Sequence, residues 1–295
     1  MMQVEENLPT IYISIMLSLI KRNSNHLVQN YIEQIPHHYK AQFIEQYENI
    51  NPLQVIYQYM TLIPYIDNKL NISINTDKLS PLYQKHIDVL QNTLKLIYIE
   101  TDFLQYYEQN IKKQEKEVIN NVQVILDKNE KTYKELLNFW KPQNKPQLVV
   151  IPNIIAEGDC FGVNKNNKYY AIISPKINPE TDKREFYPLH VTRICIHEFS
   201  HCFFKNNMPL NQREIEKELI KLKISTRVKE VYGDAYFEEC YVRAATLYIS
   251  EKSNIYNLKA NELKRKIEIK LNNEIKNGFV HTKVYYNNFV KGRTI

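Results

Sequence analysis

Glycine is scarce in this chain of 295 residues: there are five, beside twelve prolines. With abundant Ile, Asn, Lys and Tyr, that usage points to a mainly helical protein. Cysteine is scarce as well. The four, at positions 160, 195, 202 and 240, lack the close spacing of a secreted disulfide framework and read as free thiols in a reducing compartment. Long apolar runs are missing. The best candidate, residues 8–20, is too short to span a bilayer. Glu5 and Glu6 before it and Lys21 and Arg22 after it reverse the charge order of a signal peptide. The expectation is a soluble, cytoplasmic protein without a membrane partner. Charge of one sign is also lacking: the net charge is +6, and basic residues alternate with acidic ones, as over residues 211–223. That pattern reads as a solvated helix face and argues against a nucleic-acid surface. What the chain does have is 43% hydrophobic and 12% aromatic residues, enough for a large core in one large domain or two.

The apolar stretch from Ile194 to Phe204 holds His197-Glu198-Phe199-Ser200-His201, an H-E-x-x-H pattern. A chain with 8 His and 33 acidic residues is expected to contain roughly 0.02 such matches by chance, so the spacing carries information. On an α-helix His201 lies one turn beyond His197, about 40° round the axis, and both imidazoles can reach one metal ion. Glu198 sits about 100° from His197, beside the metal, where a carboxylate can take a proton from a metal-bound water. The alternative is a pair of core histidines bonded to backbone carbonyls. Cys195 and Cys202 project to the far side of the helix and read as core thiols.

Read in order, the chain predicts helices over residues 10–21, 26–34, 37–49 and 52–63, the last with Pro52 in its first turn. His37-His38 is read as partly exposed and structural, since adjacent helical residues diverge. Residues 68–76 read as loop. Ser80-Pro81 marks a helix start, and a helix through Leu82, Ile87, Leu90, Leu94, Ile97 and Leu104 follows. A single helical stripe then runs from Val118 to Trp140. Two prolines in residues 141–146 stop it and mark a boundary. Residues 147–155, 160–163 and 169–173 read as a small sheet, with residues 169–174 as the edge strand along the cleft. After the motif come a turn at residues 206–209 and a charged helix at 211–223.

A catalytic zinc takes three protein ligands and leaves one position open, so a third ligand is required. Residues 235–249 are apolar nearly all round yet carry Glu238, Glu239 and Arg243, and buried charges need partners or a metal. Glu239 is the preferred ligand, because Arg243 stands one turn on and can hold its carboxylate. Glu238 is its close rival. Glu218 lies in a solvated stretch.

The motif, with Tyr232 and the later Glu239-Cys240-Tyr241-Val242-Arg243-Ala244, resembles a bacterial family of gluzincin-type metallopeptidases that carry H-E-F-S-H and a later E-x-x-x-R-A. The resemblance spans residues 148–249. It implies a zincin-like fold, zinc on His197, His201 and Glu239, and Glu198 as general base; substrates are not something it supplies. Glu157-Gly158-Asp159-Cys160 is similar to the E-G-C segment of peptide deformylases, where a cysteine replaces the acidic ligand. A helical interaction module with a structural or lost metal site is the non-catalytic alternative.

The expected architecture is α+β and mainly helical. Residues 1–143 form a helical N-terminal region, and residues 144–295 a zincin-like domain of a small sheet plus the active-site helix. The expected function is a zinc-dependent peptidase that hydrolyses peptide or protein substrates by a metal-activated water. Glu198 is its base, and Arg243 and Tyr232 are candidates for holding the ligand or steadying the transition state.

Overall fold

Four short strands form the platform on which the H-E-x-x-H helix lies. The computed structural model describes residues 2–21, 23–74, 80–206, 228, 232 and 235–292. The strands are β1 (Gln3–Val4), β2 (Gln147–Pro152), β3 (Phe161–Lys165) and β4 (Lys168–Ile173), in the order β1-β2-β4-β3. β1 and β4 both pair with β2 in parallel, while β3 runs antiparallel to β4. Leu148 to Ile151 and Tyr169 to Ile173 are buried without alternation, as in strands covered on both faces. The two-residue turn Asn166-Asn167 joins β3 to β4, with Asn166 at φ 54°, a conformation asparagine tolerates better than most residues.

This arrangement corrects one expectation. Residues 169–174 are not an edge, because β4 is hydrogen-bonded on both sides; the edge beside the motif helix is β3. The periodicity of a strand says which faces are buried but not which neighbours flank it.

The helices before the sheet are α1 (Leu8–Leu17), α2 (His26–Gln34), α3 (His37–Glu45), α4 (Pro52–Leu62), α5 (Pro81–Val89), α6 (Lys95–Glu100), α7 (Phe103–Asn110), α8 (Lys112–Lys128) and α9 (Glu130–Trp140). α1 begins two residues earlier than the pattern predicts, because the Asn7 side chain accepts from Thr10 N at 2.9 Å and caps the first turn. Residues 90–94 form a π-turn that joins α5 to α6. The expected run to Leu104 breaks at Asp102, which adopts φ 45° and caps α7. The stripe from Val118 to Trp140 is likewise two helices, parted at Asn129. His37 and His38 are exposed.

Beyond the sheet lie the hairpin β5 (Lys176–Ile177) with β6 (Arg184–Glu185), and the motif helix α10 (Pro188–Asn206). The remaining described helices are α11 (Tyr236–Ser253), α12 (Ala260–Lys276) and α13 (Thr282–Val290). Residues 207–209 of the expected turn and the charged helix at 211–223, including Glu218, lie outside the described residues, as do residues 75 and 76 of the expected loop.

The molecule is therefore α+β and mainly helical with a small mixed sheet. One buried apolar cluster runs through the N-terminal helices, the sheet and α10 to α13. α10 packs on β3 and β4 on one side and on α8, α9 and α11 on others. Trp140 at the end of α9 stacks on Phe203 with ring centres 5.9 Å apart and donates to Ser200 Oγ at 3.1 Å, so both contacts brace the motif. No described helix is long and apolar enough to cross a membrane.

Candidate metal centre

The motif residues share a face because α10 is regular through them. Pro188 occupies its first position, and Val191 N bonds Tyr187 O at 3.0 Å to close the first turn. The helix is held against the sheet at one point of unusually close approach. A Cβ placed on Gly162 of β3 would stand 2.1 Å from the carbonyl oxygen of Glu198 and 3.1 Å from Cβ of His201, so only glycine fits there. The five-glycine composition hides this position, since nothing local marks it.

His197 and His201 bring their Nε2 atoms to 3.3 Å. Glu239, on α11, closes the triangle: its Oε1 lies 3.5 Å from His197 Nε2 and its Oε2 lies 3.2 Å from His201 Nε2. All three donors fall within 4.8 Å of one another, and Glu239 is buried while the histidines are half-buried. Donor atoms of a tetrahedral site with bonds of about 2.0–2.1 Å stand about 3.3 Å apart. The triangle fits one face of such a site, so the cluster could hold a metal ion.

The outer atoms of the ligands are accounted for. His201 Nδ1 donates to Glu238 Oε1 at 2.7 Å. His197 Nδ1 meets Thr246 Oγ1 at 3.4 Å, and that hydroxyl donates to Val242 O at 2.8 Å. Each imidazole thus turns Nε2 toward the shared point, the orientation a metal-binding histidine needs. Two nitrogen lone pairs and a carboxylate facing one another repel unless a proton or a cation sits among them. Burial would lower the His201 pKa, but Glu238, Glu239 and Glu198 overcome it and raise the imidazole to about 10. In Glu239 burial is overcome in turn by His197 and His201, which hold its carboxyl well below the usual range.

Glu238 therefore backs a candidate ligand, and the three donor atoms that could hold an ion together include one of Glu239, not of Glu238. Arg243 completes the far side. Its Nε lies 2.7 Å from Glu239 Oε1 without the N–H being aligned on that oxygen, so this contact is charge pairing rather than a directed hydrogen bond. Its Nη1 donates to Glu274 Oε2 at 2.7 Å, and its guanidinium stacks 3.8 Å from the Phe279 ring centre. Tyr232 packs on the same ring at 5.2 Å; burial, then the charge of Glu239, raises its pKa, while Arg243 opposes the rise.

Glu198 is only 4% exposed. Burial pushes its carboxyl up, against the pull of His197 and His201. Cys160 stands outside the ligand cluster: its Sγ lies 3.3 Å from both Ser174 Oγ and Ser174 N, and burial pushes the thiol up to about 12. Glu157 bonds Ser24 and Arg184, away from the histidines. Cys195 and Cys202 are fully buried thiols, as expected. The hydroxyls of Tyr236 and Tyr286 are engaged elsewhere, with Gly278 O and His281 and with Glu251 respectively.

Sequence reading missed Thr246, Gly162, Glu274 and the Trp140–Ser200 contact. Glu274 sits in a helix of alternating charges where no local feature distinguishes a buried acid from a solvated one. No protein-family profile, curated protein or solved structure matches the chain.

Proposed function

We propose that the chain is a zinc-dependent peptidase of the zincin type, acting on peptide or protein substrates. The observation that carries this reading is the convergence of His197, His201 and Glu239 on one point, each held from behind, with the buried carboxylate of Glu198 one residue from the first ligand. Zinc suits two imidazoles and one carboxylate, whereas magnesium and calcium take cages of oxygen donors. A small sheet packed on the motif helix, with an antiparallel edge strand beside it, supports the zincin-like fold that the gluzincin resemblance implies.

Zinc bound there supplies a Lewis acid that acidifies a water and polarises a carbonyl. The rest is the work of the chain. Glu198, its carboxyl raised by burial, accepts the water's proton and later passes one to the leaving amine. Glu238 and Thr246 fix the tautomers of His201 and His197, and Arg243 holds the Glu239 carboxylate. Tyr232, whose ring packs on Phe279 beside the Arg243 guanidinium, is a candidate donor to the developing oxyanion. The deformylase-like amidase is less well supported, because Cys160 is bonded to Ser174 and lies outside the ligand cluster.

The test is metal content measured together with cleavage of a mixed peptide library at neutral pH. One zinc per chain and chelator-sensitive cleavage are expected. Stoichiometric metal without cleavage of any peptide would overturn the catalytic reading.

A further inference from the structure

A cleft of about 550 Å³ opens beside the candidate metal centre, with His197, Arg243 and Thr246 in its wall, and continues along α10 past Arg193 to His190. Its charge is one-sided. Six cationic side chains line it, Lys176, Arg184, Arg193, Arg243, Lys266 and Lys270, against a single carboxylate, Glu274. Glu274 is already engaged by Arg243 at 2.7 Å and by Arg193 at 4.0 Å, and Arg184 is paired with Glu157 at 3.0 Å. Among the described residues no carboxylate pairs with Lys176, Lys266 or Lys270.

This crowding works against the fold. Lys266 and Lys270 stand four apart on α12, where like charges repel and weaken a helix. Burial, then Arg193, Lys266 and Lys176, push the Lys270 ammonium below its usual pKa. A chain whose net charge is only +6, with acids and bases mixed elsewhere, gathers an excess of cations at this cleft. Low-dielectric walls concentrate such a field and draw in anions.

We infer that the cleft recognises a carboxylate of the peptide substrate, within about three residues of the bond to be cleaved. The spacing follows from α10. Arg193, whose charge acts on Lys270, lies one turn before His197, about 6 Å along the axis, and His190, which lines the same cleft, lies two turns before His197, about 10 Å. An extended peptide covers that span in about two to three residues. Ile177 and Leu189, 56% and 38% exposed, line the same cleft and accept apolar neighbours of the acid. The carboxylate belongs either to an acidic side chain or to the peptide's own C-terminus; the chemistry of capture is shared. The word substrate rests on the peptidase reading, whereas the capture itself does not.

The experiment is fluorescence anisotropy on the zinc-loaded Glu198→Gln protein. Its probes are peptides of one apolar sequence carrying a neutral dye and a single Glu, Gln or Lys, each with a free or an amidated C-terminus. Glu peptides should bind about tenfold more tightly than Gln or Lys peptides if a side chain is captured; free termini should outbind amidated ones if the terminus is. Either preference should shrink from low salt to about 0.5 M, as screening shortens the field. Lys266→Gln combined with Lys270→Gln should lose most of the preference while keeping zinc stoichiometry and the circular dichroism of the parent. Equal binding of all peptides in both terminal forms, or a preference unchanged by the double substitution, would overturn the inference. Parallel assays with the unsubstituted enzyme separate the two claims. Selective binding with no peptide cleaved removes the peptidase and leaves the carboxylate site, while cleavage without selectivity does the reverse.

Discussion

Glu238 and Glu239 are neighbours in the chain and meet opposite nitrogens of one imidazole. Glu238 Oε1 lies 2.7 Å from Nδ1 of His201, and Glu239 Oε2 lies 3.2 Å from Nε2. Adjacent positions on a helix diverge by about 100°, so two consecutive acids reach both edges of a ring that points at their helix. One carboxylate orients the ring and the other shares the side that faces the candidate metal centre. Sequence spacing alone left the two as rivals.

Glu238→Gln should therefore keep the fold and weaken zinc binding by about 10- to 100-fold, since an amide no longer supplies the charge behind His201. Arg243→Ala should do the same and also lower stability by about 3 kcal/mol, because Glu239 and Glu274 lose a buried partner. Zinc titration and chemical denaturation of both variants read the two effects separately. Unchanged affinity in Glu238→Gln would mean that the contact behind His201 has no bearing on the metal.

Glu198→Gln separates binding from chemistry. The carboxylate lies beside the ligand cluster without belonging to it, so the variant should hold zinc as the parent does while turnover falls by about 10²- to 10⁴-fold. Isothermal titration and peptide hydrolysis on the same preparation test it. Turnover equal to that of the parent would remove Glu198 from the mechanism.

Gly162→Ala probes the contact between β3 and α10. The added methyl would sit 2.1 Å from Glu198 O, and the helix or the strand must move to admit it. A loss of about 3 kcal/mol in denaturant unfolding is expected, with weaker zinc binding because His201 moves too. A midpoint equal to the parent's would show that the two backbones are not locked together there.

His86 sets an acid limit away from the centre. Its Nδ1 meets Tyr47 Oη at 3.0 Å, its Nε2 bonds Gln58, and burial, then Lys85, lowers its pKa from 6.5 to about 4. The unfolded chain then binds more protons than the folded one between those values. Its stabilising contribution is full above pH 6.5 and is lost as the pH falls toward 4. Unfolding midpoints measured across that window should fall less steeply in His86→Gln than in the parent. Parallel curves would exclude His86 as the source.

Much of the fold was legible because local chemistry decides it. Ser80 and Pro81 start α5, Asn25 caps α2 at its expected bounds, and the expected strands at 147–155 and 169–173 form over Gln147–Pro152 and Lys168–Ile173. What was illegible depends on distant partners. β1 has two residues and exists only because β2 offers it an edge. The break at Asn129 does not interrupt the apolar stripe, so periodicity passes through it. At the candidate centre, the helical spacing of His197, Glu198 and His201 was visible. Glu274 and Thr246 join it only when α11 and α12 pack, and no spacing in the chain encodes that meeting.

X-ray absorption at the zinc edge of the loaded protein tests the central claim most directly, because it reads the donor atoms themselves. The account predicts one zinc per chain with two imidazoles and only nitrogen or oxygen neighbours at about 2.0–2.1 Å. The signal should be lost in a folded Glu239→Ala protein and unchanged in Cys160→Ser. A sulfur neighbour at about 2.3 Å, or an intact signal in Glu239→Ala, would contradict it and move the third ligand away from Glu239.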